Sequence, residues 1–320
     1  MGHTENISLD KLIEGCRFGL CHNLIAELND DNLHALFHTL TMERMVRKAF
    51  DIETIYKDEG CCWSQTLYHL TLRYLLGKPN RNMATRLAKL IPHNVLMREN
   101  NALYKIEALL LGGAGLLDLY NDSYAVDIKQ EFQHLASKYN IKPLNAHDWR
   151  LSGIHINNHP TLRLAQLAAC IHNNSISISG IMSCKGDRDI HALFSCSASD
   201  YWVDRLMSES FDRSISSKIG STMSNIIAIN AIIPVLVAYS NYTESHNICE
   251  KAINLLYNIR AEDNTYTRQW QYNKQIAKSA FDSQALIQLS TEYCNRGRCK
   301  ECPLAKILTI TKGNSRCFGQ

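Results

Sequence analysis

Three cysteines near the C-terminus carry the most pointed chemistry in this sequence. In "YCNRGRCKECPL", Cys294, Cys299 and Cys302 follow a C-x4-C-x2-C spacing. Thiolates ligate zinc and iron–sulfur clusters, and two cysteines separated by two residues can wrap one ion as a chelating knuckle. Arg296, Arg298 and Lys300 lie among them and favour the thiolate form. A tetrahedral site needs a fourth ligand, for which Cys317 is the nearest candidate. The stretch 294–317 is therefore a candidate knuckle for zinc or a [4Fe–4S] cluster. Spacing alone does not separate these two, and three reduced thiols are the plain alternative.

The same stretch is basic. Arg296, Arg298, Lys300, Lys306, Lys312 and Arg316 stand against Glu301 alone. Cations beside such a knuckle can track the phosphates of DNA or RNA, although a solvated tail has the same composition. Elsewhere, His34 and His38 are four apart on a predicted helix, so they share a face, but the glutamate of a metalloprotease helix does not follow His34. Glu107 precedes an apolar run, where a carboxylate can bind a metal or cap a neighbouring helix. Arg163 falls in the first turn of an apolar helix and is expected to be a buried anchor, to Glu107 or Glu262. Asn225 and Asn230 sit in a strongly apolar helix, and buried amides must be satisfied, so both are expected to fix helix packing.

The elements that position these residues are helices. Leu33, Leu36, Phe37, Leu40, Val46, Phe50 and Ile55 recur in three- and four-residue steps after Asp31. "CWSQTLYHLTLRYLLG" predicts a second helix stopped at Gly77, and "NRNMATRLAKLIP" a third, capped by Asn80 and ended by Pro92. "ALYKIEALLLGGAGLLDLY" runs into glycines suited to a tight turn or close backbone approach. Tyr124, Ile128, Phe132, Leu135 and Tyr139 mark an amphipathic helix, and Pro160 opens another. Residues 222–240 read as a buried apolar helix kinked near Pro234; its longest apolar stretch, "IIAINAIIPVLVAY", is interrupted by Asn230 and Pro234 and is shorter than the roughly 18–20 residues of a membrane span. No alternating strand pattern stands out. The expected fold is mainly α: a multi-helix bundle in one domain, 1–320, with a sub-boundary near 140–158 and a C-terminal Cys-containing knuckle.

Bulk properties agree with a packed globule, the hydrophobic fraction being 45% and the charged fraction 20%. A net charge of +3 is too small to argue for nucleic acid by itself. The polar start "MGHTENISLD" lacks a signal-peptide core, so a cytoplasmic location without membrane association is expected. In a reducing compartment, clustered thiols among the twelve cysteines suggest metal more than disulfides. The adjacent pair Cys61–Cys62 is a weak ligand candidate, because neighbouring thiols rarely point into one site.

Several stretches together resemble the bacterial family catalogued as domain of unknown function 2851. They include Glu107–Gly115, Arg163–Ala169 and Ser283–Cys302, in that order. The resemblance implies a helical body and a Cys-containing C-terminus, with no assigned activity. Longer relatives carry a strand-rich, nuclease-like region ahead of this body, which implies a protein partner supplying such a domain. "GIHINNHP" departs from the Arg- and Pro-rich form expected there. "RCKECPL" also resembles the iron–sulfur loop of helix-hairpin-helix DNA glycosylases, without its wider first spacing or its nearby fourth cysteine. The leading expectation is a non-catalytic interaction module that binds nucleic acid through its basic C-terminal face. The alternatives are a metal-dependent enzyme with a His/Glu site in the helical body, and a distant helix-hairpin-helix iron–sulfur repair-like protein.

Overall fold

The computed structural model describes residues 19–209, 215–271 and 275–307. Among them the regular structure is helical, with no strand and one isolated antiparallel bridge, Arg260 to Ser279. The α-helices are α1 (Gly19–Ala26), α2 (Asp30–Asp58), α3 (Trp63–Leu75), α4 (Gly77–Leu90), α5 (His93–Arg98), α6 (Leu103–Glu107), α7 (Ser123–Tyr139) and α8 (Pro160–His172). They continue with α9 (Ile178–Ser183), α10 (Asp187–Leu193), α11 (Asp200–Glu209), α12 (Ser221–Ile227), α13 (Ile233–Thr243), α14 (His246–Asn258), α15 (Thr265–Trp270) and α16 (Ala280–Gln288). The chain divides into two compact units, residues 1–48 with 256–320, and residues 49–255. Residues 140–158 lie within the second.

In the first unit, α16 is fully buried along most of its length, and the Thr41 hydroxyl donates to the Phe281 carbonyl at 2.8 Å. Capping boxes start α15 at Asn264 and α16 at Ser279, satisfying amides that a helix start leaves open. A π-turn, Leu289–Cys294, prolongs α16 and is tied down by the Trp270 indole N–H, which donates to Ser290 Oγ at 2.7 Å.

Along α2 the buried positions are Leu36, Phe37, Leu40, Thr41, Met45, Ala49, Ile52 and Tyr56. Val46 and Phe50, expected on the apolar face, are 64% and 69% exposed. Met45 and Ala49 take the inward places one residue earlier. The pattern at this point offered two adjacent apolar stripes, and packing selected the other one.

In the second unit, α6 runs into a π-turn, Ala108–Gly112, whose residues are all buried. Gly112 lies so close to Phe132 that a Cβ would sit 2.2 Å from its ring. Gly115 takes a left-handed φ of +74°, and a Cβ there would meet the Leu144 carbonyl oxygen at 2.1 Å. These approaches explain the glycines in this stretch.

Asn80 does not cap its helix. It lies inside α4 and its side chain bonds the backbone of Arg150, as donor at 3.0 Å and acceptor at 2.8 Å. Where a kink was expected at Pro234, a π-turn, Ala228–Ile232, joins α12 to α13. The Ile233 N–H donates to the Ala228 carbonyl, so the wider turn shifts the register just before the proline's missing donor. Residues Ser221–Thr243 form one helix long and apolar enough to cross a membrane by length and composition, yet Ile227–Ile229 and Ala231–Leu236 are buried within the protein.

Candidate functional site

In the first unit, one turn-to-turn register brings charge together. Gln284, Gln288 and Glu292 follow at four-residue steps along α16 and its π-turn, so they line one face. Arg44 Nε donates to Gln284 Oε1 at 2.7 Å, and Lys48 Nζ donates to the same oxygen at 3.3 Å. The Gln284 amide donates in turn to Glu262. Arg47 Nη2 donates to Gln288 Oε1 at 2.9 Å, while Glu43 accepts from the Tyr293 hydroxyl at 2.8 Å. Burial, with Arg44 adjacent, pulls the Lys48 ammonium well below its usual range.

Glu292 links this face to the cysteine loop. It pairs with Arg47 at 3.5 Å and with Arg296 at 3.1 Å, holding two arginines from distant parts of the chain beside one carboxylate. The loop then turns at Gly297, φ +63°, with the Arg298 N–H donating to the Tyr293 carbonyl at 2.9 Å. Arg298 pairs with Glu301 and lies 5.3 Å from the centre of the Tyr293 ring. Arg296, Arg298 and Lys300 are all exposed. Cys294 and Cys299 are half-buried and Cys302 is buried. Among the described residues, no group of three or more His, Cys, Asp or Glu side chains is placed to hold a metal ion. Cys317, the expected fourth ligand, lies outside the described residues, as do Lys312 and Arg316. His34 and His38 are exposed.

In the second unit, Glu107 is fully buried and accepts from the Tyr124 hydroxyl and the Ser199 hydroxyl, each at 2.9 Å. Burial raises its carboxyl above the usual range, and these two hydrogen bonds oppose the rise. Arg163 is also buried, but neutral amides rather than a carboxylate hold its guanidinium. Nη1 donates to Gln166 Oε1 at 3.0 Å and Nη2 to Asn158 Oδ1 at 2.8 Å. Burial lowers Arg163 to about 10. Asn225 Oδ1 accepts from His191 Nε2 at 2.9 Å, linking α12 to α10. Asn230 lies within the π-turn and donates back to the Ile226 carbonyl at 3.0 Å.

Sequence reasoning missed the buried Gln284 and Gln288, which nothing marked as more than helix-face polar residues. It also missed Glu99, and a buried pair in which Glu59 Oε1 lies 2.8 Å from His69 Nδ1. Burial lowers the His69 pKa and Glu59 works against that effect.

A family model described as a protein of unknown function, DUF2851, matches residues 4–265. Glu107 and Arg163 fall inside that stretch, and the loop Cys294–Cys302 lies beyond it. No curated protein matches the chain, and no solved structure does.

Proposed function

We propose, for a chain that belongs to the DUF2851 family, that it binds the phosphate backbone of nucleic acid through the loop Arg296–Lys300 together with Arg47, without acting on it catalytically. The observation that supports this reading is the Glu292 clamp. It sets Arg47 beside Arg296, and the same loop exposes Arg298 and Lys300. Arg47, Arg296, Arg298 and Lys300 against Glu43, Glu292 and Glu301 leave a small surplus of positive charge around this loop. Arg298 and Arg296 are each pre-oriented by a carboxylate, which lowers the ordering cost of a phosphate contact.

Binding of this kind releases counterions, so affinity for a DNA or RNA duplex falls as salt rises, with a log–log slope of about 0.9 per phosphate contacted. Fluorescence anisotropy across a salt series tests it. Replacing Arg296, Arg298 and Lys300 with Ala should reduce the slope by about three at most. Absence of binding at low salt, or an unchanged slope in the triple variant, would overturn the reading. Magnesium-dependent cleavage by the purified chain would replace a binding role with an enzymatic one. Zinc or a [4Fe–4S] cluster at Cys294, Cys299 and Cys302 is a separate proposal that needs a further ligand such as Cys317, since among the described residues these three thiols by themselves form no metal-holding group, and the nucleic-acid reading does not depend on it. Elemental analysis and visible absorbance of anaerobically purified protein measure it directly.

A further inference from the structure

We propose that Arg163 and the first turn of α8 form a binding site for an oxyanion, a phosphate or carboxylate group carried by a small ligand. Arg163 is 5% exposed, and among the described residues no carboxylate pairs with it. A buried charge without a counter-charge is costly, and proteins normally pair or neutralise it. Its place in the helix adds to the cost. Arg163 stands in the first turn of a thirteen-residue helix, Pro160–His172, where the helix dipole is positive and favours anions. The guanidinium does not escape that field, because Nη2 reaches back to Asn158, ahead of the helix cap His159.

The hydrogen bonds show where an anion would sit. Nε and Nη2 form the edge of a guanidinium that grips an oxyanion with two parallel bonds. Here Nη2 holds one amide oxygen, and the buried Nε has no partner. The two amides that hold the guanidinium are not equivalent. Gln166 is locked, because its Nε2 donates to the Ser216 carbonyl at 2.8 Å and to the Lys218 carbonyl at 3.1 Å. That fixes its Oε1 on Nη1. Asn158 is exposed and offers only a neutral oxygen on the gripping edge. An oxyanion that displaces the Asn158 amide would take Nη2, satisfy Nε and supply the missing charge. The site uses residues of the second unit only, so it stands or falls independently of the Arg296–Lys300 reading.

The test uses the full chain, with inorganic phosphate and succinate as separate probes and sodium chloride holding ionic strength constant. Thermal unfolding and titration calorimetry are the readouts. The expected result is a saturable rise in Tm with one or both probes, and the two arms tell a phosphate from a carboxylate ligand. Asn158→Asp puts a carboxylate where the anion is expected. It should raise Tm without any probe and weaken probe binding at least tenfold. Arg163→Gln should abolish probe binding. A probe-free Tm that is unchanged or higher separates a ligand residue from a structural anchor, because it removes an uncompensated charge. If Arg163→Gln fails to fold, Asn158→Asp decides alone. No saturable effect of either probe, or binding that survives in Asn158→Asp, would overturn the proposal.

Discussion

Glu99 and Glu107 lie in the same unit, are both buried, and are driven in opposite directions. Glu99 receives Lys138 Nζ at 2.6 Å and the Tyr139 hydroxyl at 2.5 Å, with Lys105 at 3.6 Å. Those bonds, Lys138 first, hold its carboxyl down at about 2. Glu107 receives two neutral hydroxyls, and burial carries its carboxyl upward instead. Hydrogen bonds are present at both. The difference is a cation, which favours the charged form enough to outweigh desolvation. By that standard Glu107 and Arg163 belong together as charged groups buried without a counter-charge, and Glu99 is their compensated counterpart.

The largest test of this contrast acts on the backbone that keeps Glu107 inward. Gly112→Ala should cost about 3 kcal/mol by overpacking against the Phe132 ring, measured by urea unfolding. A loss near zero would mean that the π-turn yields easily and that Glu107 is not held there.

Glu99→Gln comes next, with a loss on the order of 1 kcal/mol at pH 7, kept small because the half-exposed Lys138 is screened by solvent. Glu99 has a depressed folded pKa, so its contribution is present above the unfolded value and is lost as pH falls toward about 2. The variant and the parent should therefore converge in stability across that acid range.

Glu107→Gln should change stability by less, within about 1 kcal/mol at neutral pH, since the amide oxygen can still accept from one of the Tyr124 and Ser199 hydroxyls while the amide N–H donates to the oxygen of the other. Its sign runs the other way. A raised folded pKa means that stability is greatest with the carboxyl protonated and is lost as pH rises through the folded value. The variant should gain on the parent as pH rises above the usual carboxylate range, and a difference that stays constant through that rise would break the contrast.

The smallest effect belongs to Arg298→Ala. An exposed pair with Glu301 should leave Tm unmoved while nucleic-acid affinity falls. A clear drop in Tm would make the loop structural rather than a binding face.

Much of the helical framework could be read directly. Tyr124 to Tyr139 marked α7, and Pro160 opened α8. Boundaries failed where two readings were locally equal. Asn80 resembles a cap but lies inside α4, because its amide is drawn to the Arg150 backbone seventy positions away. For the candidate sites, residue type was visible and circumstance was not. Arg163 was expected to meet a carboxylate, and the structure gives it two amides.

The sequence by itself determined that this chain is helical and where several of its longer helices run. Those properties depend on side chains three and four positions apart, on caps and on glycine, all of which fall within a short window. Only the tertiary structure decided that Met45 rather than Val46 faces inward, that Glu292 clamps Arg47 beside Arg296, and that Glu107 and Arg163 are buried without opposite charges. Each of these is a relation between residues far apart in the chain. It is set by which helix faces meet, and no local pattern of residue types carries that information.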